Sequence, residues 1–313
     1  MTRYRDRYNR IYDELSRADL QQGSLGLAEL SLGPEIFGHD PDQWLGFYTD
    51  SGLHTALEKY GFYRDLNRLG FSKFRIETKT DDPDAHLLRL WSQAPPLEVP
   101  LVELSVRRDF LRPLSELADR VENSHIPVLT IDWLLLQNST ATFHAGRPPL
   151  PGQRFPGLGV GAQVLEMLRN VCKRLTLAGM ANVPSYFHNA FLYSEEFQHF
   201  DPHWQGLFLA LCRDLLPGTR MSVAAASWAI EWGLVFDRAG DGTPFDWFHQ
   251  LMLAPISENL SGYFSDRRYH REVQKSLSSH EFVFSEEALG KKLAKRGIEP
   301  FEPELIEKWL TLY

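Results

Sequence analysis

Apolar residues recur at helical spacing in the first part of the chain. Residues 3–20 carry tyrosine, isoleucine and leucine side chains three and four positions apart with charges between them, which predicts an amphipathic helix. A second helical pattern runs from about Trp44 to Leu69 and is interrupted near Gly61. Gly70 suits the end of this pattern because glycine is common just past a helix C-terminus. Residues 1–70 are therefore predicted to form a helical N-terminal extension.

The period then changes from helical to alternating. Residues 71–82 alternate apolar and charged side chains, as is typical of a half-buried strand. Three further strand-like runs lie at 86–93, 100–111 and 129–138. Their short connections predict an antiparallel meander. A segment of helical length at 113–123 precedes the last run.

A different order of elements follows the meander. A loop rich in glycine and proline spans 146–161, and a helical pattern follows it over 162–175. A strand-like run at 176–183 and a short helix candidate at 187–197 come next. The order of strand, loop, helix, strand and helix predicts a mixed α/β (α+β) core over 71–217.

The last part of the chain, residues 218–313, is predicted to be mainly helical. An apolar, tryptophan-rich run at 222–236 precedes a helical pattern at 246–279. Two further helix candidates lie near 286–297 and 303–313. This region carries no motif to which we assign chemistry.

Composition and charge exclude several classes of protein. Hydrophobic residues make up 43% and charged residues 24% of the chain, which excludes a disordered, collagen-like or disulfide-scaffold protein. The net charge of −8 disfavours a dedicated nucleic-acid binder, which carries a basic face. Cys172 and Cys212 are interpreted as buried thiols of a reducing compartment. No apolar run approaches the about 20 residues that span a bilayer, and the N-terminus lacks a signal-peptide pattern. We expect a cytoplasmic protein without membrane or nucleic-acid partners.

The loop before the helical pattern at 162–175 is the strongest candidate for chemistry. Gly157, Gly159 and Gly161 stand at alternate positions between a buried strand and a helix. Glycine permits close backbone approach, and the start of a helix favours an anion such as a phosphate. The loop lacks the Gly-Lys-Ser/Thr ending of a P-loop, and its third glycine comes one position early for the dinucleotide-binding fingerprint. A tight turn without a ligand is the alternative.

This loop resembles the pyrophosphate loop of the GNAT superfamily of N-acetyltransferases, Q/R-x-x-G-x-G/A. RFPGLG matches that pattern with Arg154, Gly157 and Gly159. A second register, PGLGVG, places Gly159 and Gly161 in the glycine positions and agrees better with the helix start. It also puts Pro156 where the family has Gln or Arg. Both registers stay open.

The residues after the loop resemble the next motif of the same family. The matching letters are Asn189, Ala190, Leu192, Tyr193 and Phe197 or Phe200. The resemblance covers about 129–200 and implies a GNAT-like mixed sheet with helical extensions at both ends of the chain.

The resemblance also implies an activity. It implies an acyltransferase that uses acetyl-CoA or another acyl-CoA as co-substrate, without a metal, and passes the acyl group directly to an amine on a small molecule or protein. A backbone N–H at the end of the strand before the loop would polarise the thioester oxygen. The implied cofactor-binding residues are Leu136, Gln137, Arg154, Gly157, Gly159, Val160, Gly161, Ala162 and Asn189.

Direct transfer needs an acid for the leaving sulfur and a base for the amine. The resemblance implies Tyr193 as the acid, and a tyrosine packed in the core is the alternative. Glu103 and Asp132 lie on predicted strands and are candidates for the base, although either could lie on the solvated face of the sheet. His188 is a third candidate because it adjoins Asn189.

Three histidines lie close together in sequence and need separate consideration. His188, His199 and His203 are accompanied by Asp201, but Pro202 disfavours the continuous helix that would align a metal-binding pair. We therefore predict loop and surface histidines and no metal site.

Two other classes of function stay open. One is a non-catalytic module that binds acyl-CoA or another phosphorylated ligand. The other is a structural or interaction protein whose glycine loop is only a turn. A homo-oligomer stays open for all of these functions.

Overall fold

The computed structural model describes residues 4–21, 43–82, 85–112, 125–216 and 221–298. Contacts divide the chain into two compact units that interleave along the sequence. Unit 1 comprises Met1–Leu111, Pro127–Thr140 and Gly157–Met180, and unit 2 comprises Arg112–Ile126, Ala141–Pro156 and Ala181–Tyr313. The segments predicted from the sequence, 1–70, 71–217 and 218–313, stay a prediction. The helices predicted at 113–123 and 303–313 lie outside the described residues.

Helices open unit 1, as predicted. They are α1 (Arg5–Glu14), α2 (Arg17–Leu20), α3 (Asp50–Tyr60) and α4 (Phe62–Arg68). The helix predicted from Trp44 begins later because the side chain of Thr49 accepts a hydrogen bond from the N–H of Gly52 and caps α3. Gly61, at φ +77°, separates α3 from α4 at the predicted interruption.

Four strands confirm the predicted meander. They are β1 (Ser72–Lys79), β2 (His86–Ala94), β3 (Val102–Leu111) and β4 (Ile126–Leu136). The pairs β1–β2 and β2–β3 are antiparallel, with Ile76 opposite Leu90 and Leu88 opposite Leu104. These side chains are buried and form the core face of the sheet.

The remaining described strands are short. They are β5 (Gly179–Asn182), β6 (Gln198–His199), β7 (Val235–Asp237), β8 (Met252–Pro255) and β9 (Phe282–Phe284). Seven strands follow the order β1-β2-β3-β4-β5-β8-β6 in one mostly antiparallel sheet, and β7 pairs with β9 in a second sheet. The predicted mixed α/β fold is confirmed, and this architecture is consistent with a GNAT-like fold.

Helix α5 (Gly161–Arg174) follows the glycine loop, as predicted. The first helix of the chain is anchored to it by side chains. The Arg5 guanidinium lies 2.9 Å from the buried Glu166 carboxylate, and the Lys173 ammonium donates to Asn9 at 2.7 Å. Cys172 on α5 is buried, as predicted. Helix α1 is therefore held against α5 by an ion pair and a hydrogen bond.

Unit 2 is mainly helical. Its helices are α6 (Phe187–Tyr193), α7 (Pro202–Leu215), α8 (Val223–Glu231), α9 (Glu258–Phe264), α10 (Arg267–Ser279) and α11 (Glu286–Ala294). Helix α7 carries the buried Cys212 and packs so closely on α10 that a Cβ at Gly206 would overlap the carbonyl oxygen of Val273. Among the described helices, none combines the length and apolarity needed to cross a membrane.

Two sequence interpretations of unit 2 are corrected. The helical pattern predicted over 246–279 contains the strand β8, because a short buried apolar run has no period that separates strand from helix. Helix α7 was not predicted. Pro202 occupies its first turn, where the missing N–H costs nothing, and Asp201 caps it.

Candidate functional site

The end of β4 and the glycine loop are joined by backbone hydrogen bonds. The N–H of Leu158 donates to the carbonyl of Leu136 at 3.2 Å. The N–H of Gln137 donates to the carbonyl of Leu101, just before β3, at 3.0 Å. The Gln137 N–H is therefore already engaged by a backbone carbonyl of unit 1.

Helix α5 begins immediately after the loop without a side-chain cap. Val160 is the N-cap residue and offers no acceptor, and the first turn contains no acidic side chain. The first N–H groups of a helix have no intrahelical partner, and the positive end of the helix dipole lies among them. The start of α5 is therefore an electropositive backbone surface suited to an anion.

The three glycines of the loop differ in why glycine is needed. Gly159 has φ +73°, a conformation that other residues adopt only at a cost. A Cβ at Gly157 would lie 3.6 Å from the carbonyl oxygen of Leu136, and one at Gly161 would lie 3.8 Å from its Cδ1. Both are ordinary contacts. The backbone conformation therefore favours glycine at 159, whereas a Cβ would fit at 157 and 161.

Three other predicted loop positions have different environments. Val160 is buried, whereas Ala162 is exposed in the first turn of α5. Arg154 belongs to unit 2 and is exposed, with its guanidinium 5.1 Å from the centre of the Phe155 ring.

Helix α6 of unit 2 carries two predicted site residues on one face. Asn189 and Tyr193 are four positions apart and so lie one turn from each other. The Oδ1 atom of Asn189 is buried and has no hydrogen-bond partner within the described residues. Burial raises the pKa of the Tyr193 hydroxyl, which keeps it protonated at neutral pH. A protonated hydroxyl is what the acid role requires.

His188 lies in the interior of unit 2. Its Nδ1 lies 2.8 Å from the Oγ of Ser227, and its ring stacks on Tyr186 with centroids 5.4 Å apart. Burial lowers the pKa of His188 to about 4, so the imidazole is a weak base at neutral pH. Sequence reasoning missed Ser227, although a polar residue within the apolar run 224–230 was a usable signal.

Arginines hold the two candidate carboxylates of unit 1. The Nε of Arg89 donates to Glu103 at 2.6 Å, and its Nη1 reaches Glu77 at 3.5 Å. The Nε of Arg107 donates to Asp132 at 3.1 Å. An amine that used either carboxylate as its base would have to displace an arginine. The base roles of Glu103 and Asp132 stay predictions.

The predicted surface position is wrong for two of the three histidines. His188 is buried, and so is His199, which is 0% exposed in β6. The His199 ring contacts Phe208 and Phe248, and burial lowers its pKa to about 3. These aromatic rings exclude water, which the sequence pattern did not indicate. His203 is exposed. Within the described ranges, no group of three or more His, Cys, Asp or Glu side chains could hold a metal ion.

Comparisons with known proteins give limited matches. No protein-family model and no curated protein matches the chain. Among solved structures, AtaT complexed with acetyl-methionyl-tRNAfMet is 15% identical over 52% of this chain and 84% of that chain, with a TM-score of 0.25. AtaTR bound with AcCoA is 15% identical over 53% and 84%, with a TM-score of 0.25. A KacT mutant is 11% identical over 56% and 74%, with a TM-score of 0.23. At these values the likeness carries no argument about activity.

Proposed function

We propose that this protein is an acyltransferase that binds an acyl-CoA at the glycine loop and the start of α5. The supporting observation is the uncapped start of α5, next to a loop where the backbone conformation favours glycine at 159 and a Cβ would fit at 157 and 161. A diphosphate fits this surface because it accepts hydrogen bonds from backbone N–H groups and is favoured by the helix dipole. Close approach of phosphate oxygens would explain glycine at positions 157 and 161.

The proposed reaction forms a C–N bond and breaks a C–S bond. An amine nitrogen attacks the thioester carbonyl carbon, a base accepts the proton from that nitrogen, and the leaving sulfur receives a proton. The N–H of Leu136, at the strand end bonded to the loop, is the proposed donor to the thioester oxygen as negative charge develops there. Tyr193 keeps the acid role that the resemblance implies, and the acceptor is an amine on a small molecule or protein.

A second candidate function is acyl-CoA binding without transfer. The observation that favours it is the state of the candidate bases. Glu103 and Asp132 each accept hydrogen bonds from an arginine, and burial lowers the pKa of His188 to about 4. Both functions require acyl-CoA binding, and only the first requires turnover with an amine.

The deciding experiment is calorimetric titration with acetyl-CoA and with free CoA on the unmodified protein, Gly161→Glu and Gly161→Gln. A Cβ fits at Gly161, so both variants are expected to fold. Glutamate adds a negative charge where the phosphates would bind, and glutamine is a control of matched size. We expect Gly161→Glu to weaken CoA binding at least about tenfold more than Gly161→Gln, while its charge stabilises the start of α5 slightly.

Two outcomes would contradict the proposal. Absence of heat and of thermal shift with either ligand on the unmodified protein would remove both acyl-CoA functions and leave the loop as a turn. Equal losses in Gly161→Glu and Gly161→Gln would argue against a phosphate at the start of α5. If binding is found, a screen of amines for CoA release separates the enzyme from the binding module.

A further inference from the structure

Three arginines of unit 1, Arg7, Arg64 and Arg68, form a cluster at the start of α4. Arg64 and Arg68 lie one turn apart on α4, and their side chains are 55% and 71% exposed. Arg7 of α1 donates to the carbonyl of Tyr60 at 2.8 Å, just before α4. A Cβ at Gly61 would lie 2.6 Å from Nη2 of Arg7 and 3.1 Å from Nη2 of Arg64. These two guanidinium groups therefore meet over Gly61.

One carboxylate, that of Asp65, accompanies the arginine cluster. Its Oδ1 lies 3.1 Å from Nη1 of Arg68 and 3.7 Å from Nε of Arg64. Among the described residues, no other carboxylate forms an ion pair with the three arginines. Like charges four positions apart on a helix repel each other, as those of Arg64 and Arg68 do. In a chain whose net charge is −8, this local excess of positive charge favours an anionic ligand that carries more than one charge.

The carboxylate of Asp65 also ties the cluster to the first turn of α5. Its Oδ2 accepts a hydrogen bond from Nε2 of Gln163 at 2.7 Å. Gln163 is the third residue of α5, and side chains on a helix lean toward its N-terminus. The arginine cluster therefore lies beside the start of α5, which is the proposed site of the diphosphate of the acyl-CoA.

We propose that Arg64 and Arg68 bind the 3′-phosphate of CoA, so that the site selects CoA thioesters over carriers that lack this phosphate. In CoA the 3′-phosphate and the diphosphate are attached to the same ribose, so an anion beside the diphosphate is expected. A phosphate monoester carries about two negative charges at pH 7, and a guanidinium offers it paired N–H donors. Arg7 adds positive charge beside them. This inference rests on the proposed acyl-CoA function.

The test is calorimetric titration with CoA and with 3′-dephospho-CoA, which differ only in this phosphate. We expect the unmodified protein to bind CoA about tenfold more tightly than 3′-dephospho-CoA. Arg64→Gln and Arg68→Gln should each reduce this preference about threefold, as exposed charge pairs predict, and the double variant should remove it. The loss should fall on CoA alone, because 3′-dephospho-CoA has no phosphate for these arginines. Salt should weaken the preference.

Arg75→Gln is the matched control. Arg75 lies on β1, is 51% exposed and pairs with Glu77 at 3.5 Å, much as Arg64 pairs with Asp65 at 3.7 Å. Its replacement should leave the preference at about tenfold.

The outcomes separate this inference from the function on which it rests. Equal affinity of the unmodified protein for CoA and 3′-dephospho-CoA would overturn the inference while acyl-CoA binding stands. A full preference in the double variant, or equal loss of both ligands in it, would also overturn the inference. If neither ligand binds the unmodified protein, the proposed function fails as well.

Discussion

The carboxylates of unit 1 and the histidines of unit 2 respond to their surroundings in opposite ways. Glu103 and Asp132 remain 23% and 37% exposed and are held by arginines. His188 and His199 are 4% and 0% exposed, and burial lowers their pKa values to about 4 and about 3. The two carboxylates stay accessible and have arginine partners, whereas the two histidines are uncharged at neutral pH. The base role predicted for Glu103, Asp132 and His188 therefore meets two different obstacles.

The two histidines also differ from each other. His188 has Ser227 within hydrogen-bond distance, whereas neither ring nitrogen of His199 has a partner within the described residues. The surroundings of His199 are aromatic on two sides, from Phe208 and Phe248. His199 is thus the cleaner probe of what burial alone does to a titratable group in unit 2.

The largest expected effect is on stability in acid. The pKa of His199 is about 3 in the folded protein and about 6.5 in an unfolded chain. As the pH falls below about 6.5, the unfolded chain binds a proton that the folded protein cannot, so stability is lost down to about pH 3. At pH 4 the loss from His199 amounts to about 3 kcal/mol. We expect His199→Phe, an aromatic ring among aromatic rings, to remove that loss.

Urea unfolding at pH 7, 5.5 and 4 measures this effect. The free energy of unfolding of His199→Phe should gain about 3 kcal/mol on that of the unmodified protein between pH 7 and pH 4. His249→Gln is the control, because it replaces a histidine whose side chain is exposed. A difference between His199→Phe and the unmodified protein that is constant with pH would show that His199 titrates normally.

The next effect concerns turnover and rests on the proposed transferase activity. Tyr193→Phe removes the protonated hydroxyl proposed to supply the leaving sulfur, and loss of a general acid typically costs about a hundredfold or more in rate. Binding of acetyl-CoA should not change. Steady-state rates and calorimetry on the same preparation measure the two properties separately.

Tyr186→Phe provides the matched control for Tyr193→Phe. It removes a phenol hydroxyl just before α6 and keeps the ring that stacks on His188. Turnover of Tyr193→Phe equal to that of the unmodified protein would remove Tyr193 from the mechanism.

The elements that sequence patterns predicted are those with a clear local period. The alternation in β1 and the break at Gly61 between α3 and α4 follow from neighbouring residues alone. The strand β8 did not follow, because its first three residues, Met252, Leu253 and Ala254, are all fully buried and show no alternation. Burial on both faces removes the pattern on which such a prediction depends.

The candidate site shows the same limit at the level of side chains. Glycine spacing located the loop, but the hydrogen bond from Arg89 to Glu103 depends on strand register. The amide nitrogen of Asn170 donates to Tyr8 and Tyr60, which lie 162 and 110 positions away. Such pairings are set by the folded chain, and spacing along the sequence cannot indicate them.

The smallest expected effect is on stability and tests whether Glu103 acts only as an ion-pair partner of Arg89. Arg89 lies between Glu77 and Glu103 on adjacent strands, so Glu103→Gln and Glu77→Gln each remove one carboxylate from the same arginine. Partly exposed ion pairs contribute about 0.2–1 kcal/mol and are screened by salt. We expect each variant to lose stability within that range at low salt, with the loss shrinking at high salt.

Glu77→Gln is also the control for catalysis, because Glu77 was never a candidate base. Since Arg89 holds both carboxylates, we expect both variants to keep acyl-transfer rates within about twofold of the unmodified protein, measured by CoA release. A loss of about a hundredfold confined to Glu103→Gln, with equal stability in the two variants, would contradict this expectation. It would mean that Arg89 releases the Glu103 carboxylate during the reaction. The contrast between the arginine-bound carboxylates and the uncharged His188 would then hold only for the protein without substrate.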